Sequence, residues 1–296
     1  MFDQLRAFHR PTSVATALRL FESERRAGGR GRFVAGGTDL VVQGDRSLRY
    51  LVDLTRLPLR YVKRRGRGWA IGATSTMADL EGAPALRRFA DGILAEAAGT
   101  AGSQQIRNMG TIGGNLANAS PACDLAPPLL ALDASVVIAG RRARRTLPLD
   151  RFFRGVHRTA LDGGLLVEVV VPAPRVAAGG RAAWSFQKLG RLTSDIAVVN
   201  AAAGIVLDRA GRCTWARIAL GAVAATPLRA RRAEALLVGG KGALDAAAVA
   251  AAAERAAQET RPVSDVRSSA EYRREMSRVL VARALAECLE RAGRTG

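Results

Sequence analysis

Between Gln104 and Asp124 the chain runs through Thr111-Ile112-Gly113-Gly114-Asn115-Leu116-Ala117-Asn118, a segment of small, hydroxyl and amide residues with no charge. Glycines let a main chain approach a ligand closely and adopt φ > 0, and Thr and Asn side chains add short-range hydrogen bonds. Asp124 follows at the head of the apolar run 125–132. A carboxylate at such a junction can accept from a ring N–H. Taken alone, the stretch also reads as a bulged turn closed by an acidic cap.

A second small-residue loop lies about seventy-five residues upstream. Arg32-Phe33-Val34-Ala35 reads as a short strand, and Gly36-Gly37-Thr38-Asp39-Leu40 follows it. A strand, a double glycine and a Thr-Asp able to cap the next helix suit a phosphate cradle. Backbone N–H groups at such a turn face the anion, and only glycine lets its oxygens come close. The same residues also describe a tight β–α turn, and the G-x-G-x-x-G dinucleotide fingerprint is missing.

Composition removes several functions. A net charge of +19 on 296 residues invites a nucleic-acid reading. However, lysine stands only at 63, 188 and 241, so 45 − 3 = 42 of the basic residues are arginine. They are spread along the whole chain, a pattern of coding bias and not of a binding stripe. Aromatics make up only 5%, too few for a base-stacking platform. Cys123, Cys213 and Cys288 form no CxxC and are fewer than the four thiolates an iron–sulfur cluster usually needs. His9 and His157 have no carboxylate at metal-ligand spacing. The start, Met1–Gln4, shows no signal-peptide pattern, and no uncharged run reaches membrane-spanning length. A cytoplasmic protein without a transmembrane segment, a nucleic-acid partner or a metal site of its own is expected.

In chain order, residues 12–28 read as a helix capped by Thr12 or Ser13, 50–54 as a second parallel strand and 69–73 as a third. Lys63–Arg67 reads as a solvated hairpin tip between strands. A helix led by Met77, Leu80 and Leu86 is expected next, then helical segments at 88–99 and 125–132. Strands are expected at 134–139, 144–149 and 165–171. A boundary falls at 173–182, where Pro174, Gly179 and Gly180 interrupt the pattern. Strands near 183–189, 198–208 and 214–224 follow, then alanine-rich helices at 229–239, 243–259 and 270–293. The alanine run 246–257 has high helix propensity and little side chain to bury, as for a helix packed on a neighbour.

Together, the two loops resemble the FAD-binding (medium) subunit of molybdenum hydroxylases, the group of carbon monoxide dehydrogenase and xanthine dehydrogenase. Ala35–Leu40, Ile71-Gly72-Ala73, Gln105–Asn115, Ser120-Pro121 to Asp124, and Phe152-Phe153 with 165–172 carry the resemblance. So do Phe186–Leu189, Ser194–Ala197 and Tyr272–Arg274, in order along nearly the whole chain. The resemblance implies an α+β fold: a PCMH-type FAD-binding domain over 1–176, with subdomains of about 1–57 and 58–176. A C-terminal domain over 177–296, with a three-stranded antiparallel sheet and a helical bundle, would follow.

The resemblance also implies roles. Val34, Ala35, Gly36, Gly37, Thr38, Asp39 and Leu40 would hold the FAD pyrophosphate. Thr111, Ile112, Gly113, Gly114 and Asn115 would hold the diphosphate and ribityl region from the other side, and Asp124 would meet the polar edge of the isoalloxazine. Ala101, Leu166 and Lys188 would add adenine or flavin contacts. Cys123 is read as a small hydrophobe. Electrons would come from two [2Fe–2S] clusters in a small iron–sulfur subunit, after substrate hydroxylation at a molybdenum cofactor in a large molybdopterin subunit. The assembly would be a dimer of heterotrimers, with no catalytic acid or base in this chain. Two alternatives stand beside it: a stand-alone FAD-dependent oxidoreductase of the same superfamily, and a flavin-free scaffold subunit.

Overall fold

The structure is a computed structural model that describes residues 4–240 and 242–294. Met1–Asp3, part of the segment read for a leader, and Lys241 lie outside the described residues. The N-terminal sheet is parallel, with order β1-β3-β2, from β1 (Ala7–His9), β2 (Gly31–Val34) and β3 (Tyr50–Asp53). Helix α1 (Val14–Arg26) starts at Ser13, whose side chain accepts from Thr16 N–H, and the short α2 (Thr38–Gln43) follows β2. Tyr50 and Val52 of β3 pack with Ala17 and Leu18 of α1 in one small core.

The second sheet has the order β4-β5-β10-β6-β7 and is antiparallel throughout. It comprises β4 (Val62–Arg65), β5 (Gly68–Gly72), β6 (Ser135–Ala139), β7 (Arg144–Pro148) and, after the hairpin β8 (Phe153–Gly155) and β9 (Arg158–Thr159), β10 (Leu165–Val171). Trp69–Gly72 is therefore not a third parallel strand. Gly66, at φ +58°, turns the chain back so that β5 pairs antiparallel with β4, and its other edge meets β10.

A helical layer covers this sheet. The segment expected as one helix from Met77 is broken by Pro84 into α3 (Met77–Gly82) and α4 (Pro84–Arg88). Asp91 and Gly92, both at positive φ, delay the next helix to α5 (Ile93–Gly99). The helices α6 (Gln104–Met109), α7 (Ile112–Asn118) and α8 (Ala126–Ala131) complete the layer over the largest core, which includes Ile71, Leu94, Ile112, Leu116 and Leu129.

The C-terminal sheet has three nine-residue antiparallel strands, β11 (Arg181–Leu189), β12 (Val199–Leu207) and β13 (Cys213–Gly221), with the two-residue β14 (Leu228–Arg229) added at the edge. One face packs on α9 (Arg231–Leu237), α10 (Ala246–Glu259) and α11 (Ala270–Arg294). The small side chains of Ala252, Ala253 and Ala256 bring α10 close to this core, as the alanine run suggested. The other face, with Trp184, Phe186, Ala202 and Ala219, completes the core under the helical layer. Among the described residues no helix is long and apolar enough to cross a membrane.

Candidate functional site

A cleft of about 560 Å³ opens where the end of β2, α6, α7 and the connection at 194–196 between β11 and β12 meet. Its first wall is the turn 34–40. Gly37 caps α2 in the left-handed region at φ +70°, and no side chain caps the helix. Thr38 thus starts the helix and does not cap it, which leaves the first N–H groups of this cleft-lining helix without a side-chain cap. Gly36 is needed for another reason. A Cβ there would lie 1.8 Å from Met109 O, so the turn lies directly on the end of α6.

The second wall is α7, and here the structure corrects the expectation of a glycine loop at φ > 0. Gly113 and Gly114 are helical, and neither has positive φ. The backbone donors of this turn are spent inside the protein: Ile112 N donates to Ser75 O at 3.0 Å and Gly113 N to Ala73 O at 2.9 Å. Gly114 N donates to Thr111 Oγ1 at 3.1 Å. What α7 offers the cleft is therefore a bare strip at Gly114 and the side chains of Thr111, Asn115 and Asn118. Across the mouth, Gln43 Nε2 donates to Asn118 Oδ1 at 2.9 Å and links α2 to α7.

Twelve of the sixteen residues singled out from the sequence line this one cleft: Val34 through Leu40, Ala101, Thr111, Gly114, Asn115 and Asp124. Four do not. Ile112 and Leu166 are buried in the main core, and Gly113 lies against Ala73, where a Cβ would meet Ala73 O at 2.6 Å. Lys188 stands behind Asp124. Its Nζ donates to Asp124 Oδ2 at 3.0 Å and to Thr100 O at 2.7 Å.

Asp124 itself is buried at the cleft wall, and its Oδ1 accepts from Asn200 Nδ2 at 3.1 Å. Burial pushes its carboxyl above the usual carboxylate range, and Lys188 and Asn200 pull against that shift. Each oxygen keeps a lone pair beyond its protein donor, so the group can still accept from a ligand. Cys123 lines the cleft and places its thiol 2.7 Å from Asn115 Oδ1. Burial raises its pKa strongly, so it remains a thiol. Reading Cys123 as a small hydrophobe thus misses a hydrogen bond. The rim residues Ser194, Asp195 and Ile196 were singled out only through the resemblance, and Asn200 carried no signal beyond being a polar residue in an apolar strand.

Residues 2–174 match the model of the FAD binding domain in molybdopterin dehydrogenase, and 184–288 that of the CO dehydrogenase flavoprotein C-terminal domain. The chain belongs to the FAD-binding medium subunits of molybdenum hydroxylases. It is 35% identical to the carbon monoxide dehydrogenase medium chain of Hydrogenophaga pseudoflava, over 94% of this chain and 95% of that one. It is 37% identical to the 6-hydroxypseudooxynicotine dehydrogenase complex subunit alpha of Paenarthrobacter nicotinovorans, over 95% and 93%. A solved carbon monoxide dehydrogenase of Hydrogenophaga pseudoflava, lacking the Mo-pyranopterin moiety of its cofactor, superposes with a TM-score of 0.89 at 36% identity, covering 99% of this chain and 100% of that one. This medium subunit is thus part of an oxidoreductase, and FAD is its cofactor. The cleft fits such a group in its donor set: uncapped backbone N–H groups on one wall, amide and hydroxyl side chains on the other, and a carboxylate between them.

Proposed function

We propose that this subunit relays electrons through FAD held in the cleft between the 34–40 turn and α7. The convergence of that turn, α7 and Asp124 on one cleft carries the reading. In it, the N–H groups from Gly36 to Leu40 take the pyrophosphate, because oxygens carrying negative charge need donors that the protein leaves unused there. Thr111, Gly114 and Asn115 form the opposite wall by side chain and close approach, not through backbone donors. Ile112 and Gly113 support that wall from behind. Asp124 accepts from the polar edge of the flavin ring, and Lys188 holds the carboxylate in place. Ala101 closes the floor. Leu166, in the core, shapes the site without touching it.

FAD exchanges electrons singly or in pairs, which suits a relay between one-electron clusters and a two-electron acceptor. The partners in this reading are a small subunit with two [2Fe–2S] clusters and a large subunit with the molybdenum cofactor, arranged as a dimer of heterotrimers. The two relatives named above carry different substrates in their names, which fits a subunit that handles electrons and leaves substrate choice to another chain. The FAD-binding domain covers 1–176, in two subdomains, and the C-terminal domain covers 177–296. All three cysteines are free and buried, as suits a protein of the reducing cytoplasm.

The test is purification of the full chain alone and together with the products of neighbouring reading frames. Alone, it should carry one FAD and neither iron nor molybdenum, and both metals should appear with the partners. Stoichiometric iron in the isolated chain, or no flavin in either preparation, would overturn the reading.

A further inference from the structure

Asp124 lies in the N-terminal part of the chain, yet its side-chain donors both come from the C-terminal sheet: Lys188 on β11 and Asn200 on β12. We infer that Asn200, seated against Gly221, is a positioning residue that sets where the Asp124 carboxylate points, an inference that rests on Asp124 meeting the flavin.

Asn200 is fully buried, and an amide facing a carboxylate must present its N–H₂. Its own Oδ1 has no hydrogen-bond partner. An orphaned buried carbonyl is costly, and alanine at this position would avoid it. Among the described residues, the one side-chain hydrogen bond Asn200 makes is to Asp124. Opposite Asn200 in the β12–β13 register stands Gly221, where a Cβ would fall 2.2 Å from Asn200 Oδ1. Gly221 does not have positive φ, so its backbone conformation does not call for glycine, whereas the room taken by the amide does.

The pair is clamped at one end across both strands. Buried Arg273 donates to Val198 O at 3.1 Å, two residues before Asn200, and to Ala222 O at 2.9 Å, the residue after Gly221. Ala222 N donates in turn to Pro121 O at 2.7 Å, tying the strand end to the loop that delivers Asp124. Lys188 supplies the charge opposite the carboxylate, on a flexible stem. Asn200 supplies a short, fixed direction, which a buried two-torsion side chain does better.

The experiment is a double-mutant cycle on the purified full chain, reading the FAD dissociation constant and the flavin midpoint potential. Asn200→Ala and Gly221→Ala should each weaken FAD about tenfold, the loss expected for one hydrogen bond to a charged group, and shift the potential in the same direction. In an Asp124→Ala background, Asn200→Ala should add less than twofold. Wild-type affinity and potential in Asn200→Ala would overturn the inference, as would a full tenfold loss persisting without Asp124, which marks a merely structural residue. Should Asn200→Ala fail to fold, Asn200→Leu, which keeps the side chain's bulk and removes its donor, takes its place in the cycle under the same criteria. A wild-type chain that binds no FAD, or an Asp124→Ala chain that binds it as wild type does, would instead bring down the cleft reading itself.

Discussion

Replacing Gly36 by alanine puts a methyl carbon 1.8 Å from Met109 O, 2.5 Å from Met109 C and 3.0 Å from Gly110 N. All three are backbone atoms, so no side chain can swing aside. Ordinary contact begins near 3.4 Å, so the turn and the end of α6 must part by 3.4 − 1.8 = 1.6 Å. Overpacking of this kind costs about 1–3 kcal/mol, against a total stability of roughly 5–15 kcal/mol, so the chain should still fold. The cleft changes more. A hydrogen bond of about 2.9 Å lengthened by more than ~1 Å is no longer a bond. Two such bonds to a charged group, at about 1.5–3 kcal/mol each, correspond to a loss of FAD affinity of roughly 100-fold or more. Titration of FAD fluorescence against Gly36→Ala, with urea unfolding in parallel, measures both effects. Gly37→Ala is the control. A Cβ there meets only Val34 Cγ2 at 3.6 Å and Val41 Cγ2 at 3.9 Å, so its cost is the strain of φ +70°, about 1–2 kcal/mol of stability, with a smaller effect on FAD. If Gly36→Ala bound FAD with wild-type affinity, close backbone approach would not be what this glycine provides.

Four other outcomes follow from the same geometry. Gly114→Val should release FAD without lowering the urea midpoint, because a Cβ at this helical position meets only Thr111 Oγ1, at 3.1 Å, and otherwise points into open space; an equal loss of both would place Gly114 in the core. Arg273→Ala strands two strand-end carbonyls and should cost about 3 kcal/mol in urea unfolding, a value under about 1 kcal/mol contradicting the clamp. The three buried cysteines should resist a thiol reagent in the native protein and react only with unfolding, and rapid labelling of Cys123 would show a more open cleft wall. The Tyr61 phenol, desolvated and donating to Glu168 Oε2 at 2.8 Å, is pushed up to about 12, above its usual value near 10. Because the folded-state pKa is raised, its contribution to stability is intact below pH ~10 and is lost as pH rises through that higher value. Phenolate absorbance should therefore lose its last titration step in Tyr61→Phe.

The order of strands and helices was largely legible, because apolar runs such as 165–171 and the alanine-rich 246–257 leave few other conformations. Strand direction was legible for 50–54, which does pair parallel, but not for 69–73. Nothing in Trp69–Ala73 says whether it runs parallel or antiparallel, and the decision lies in the left-handed Gly66 two residues before β5 begins. The two glycine loops were equally visible in the sequence, yet they work differently. In the first, donors stay free because no side chain caps α2. In the second, Ala73, Ser75 and Thr111 consume the donors, so Gly113 is a packing residue and only Gly114 remains bare toward the cleft. Composition cannot separate these cases, since the difference lies in which carbonyl happens to sit opposite.

Asn200 marks the farther limit of what the sequence could convey. Within an otherwise small and apolar strand it signals that some partner exists, but the partner is 76 residues away and becomes adjacent only when β12 docks beneath the helical layer. A cut before β11 would keep both loops and Asp124 and remove Lys188 and Asn200 together. The carboxylate would then lose both of its side-chain donors, one of them its opposite charge. In the proposed site, the carboxylate that meets the flavin edge is thus held by the sheet that carries neither loop, and the C-terminal half of the chain belongs to that site.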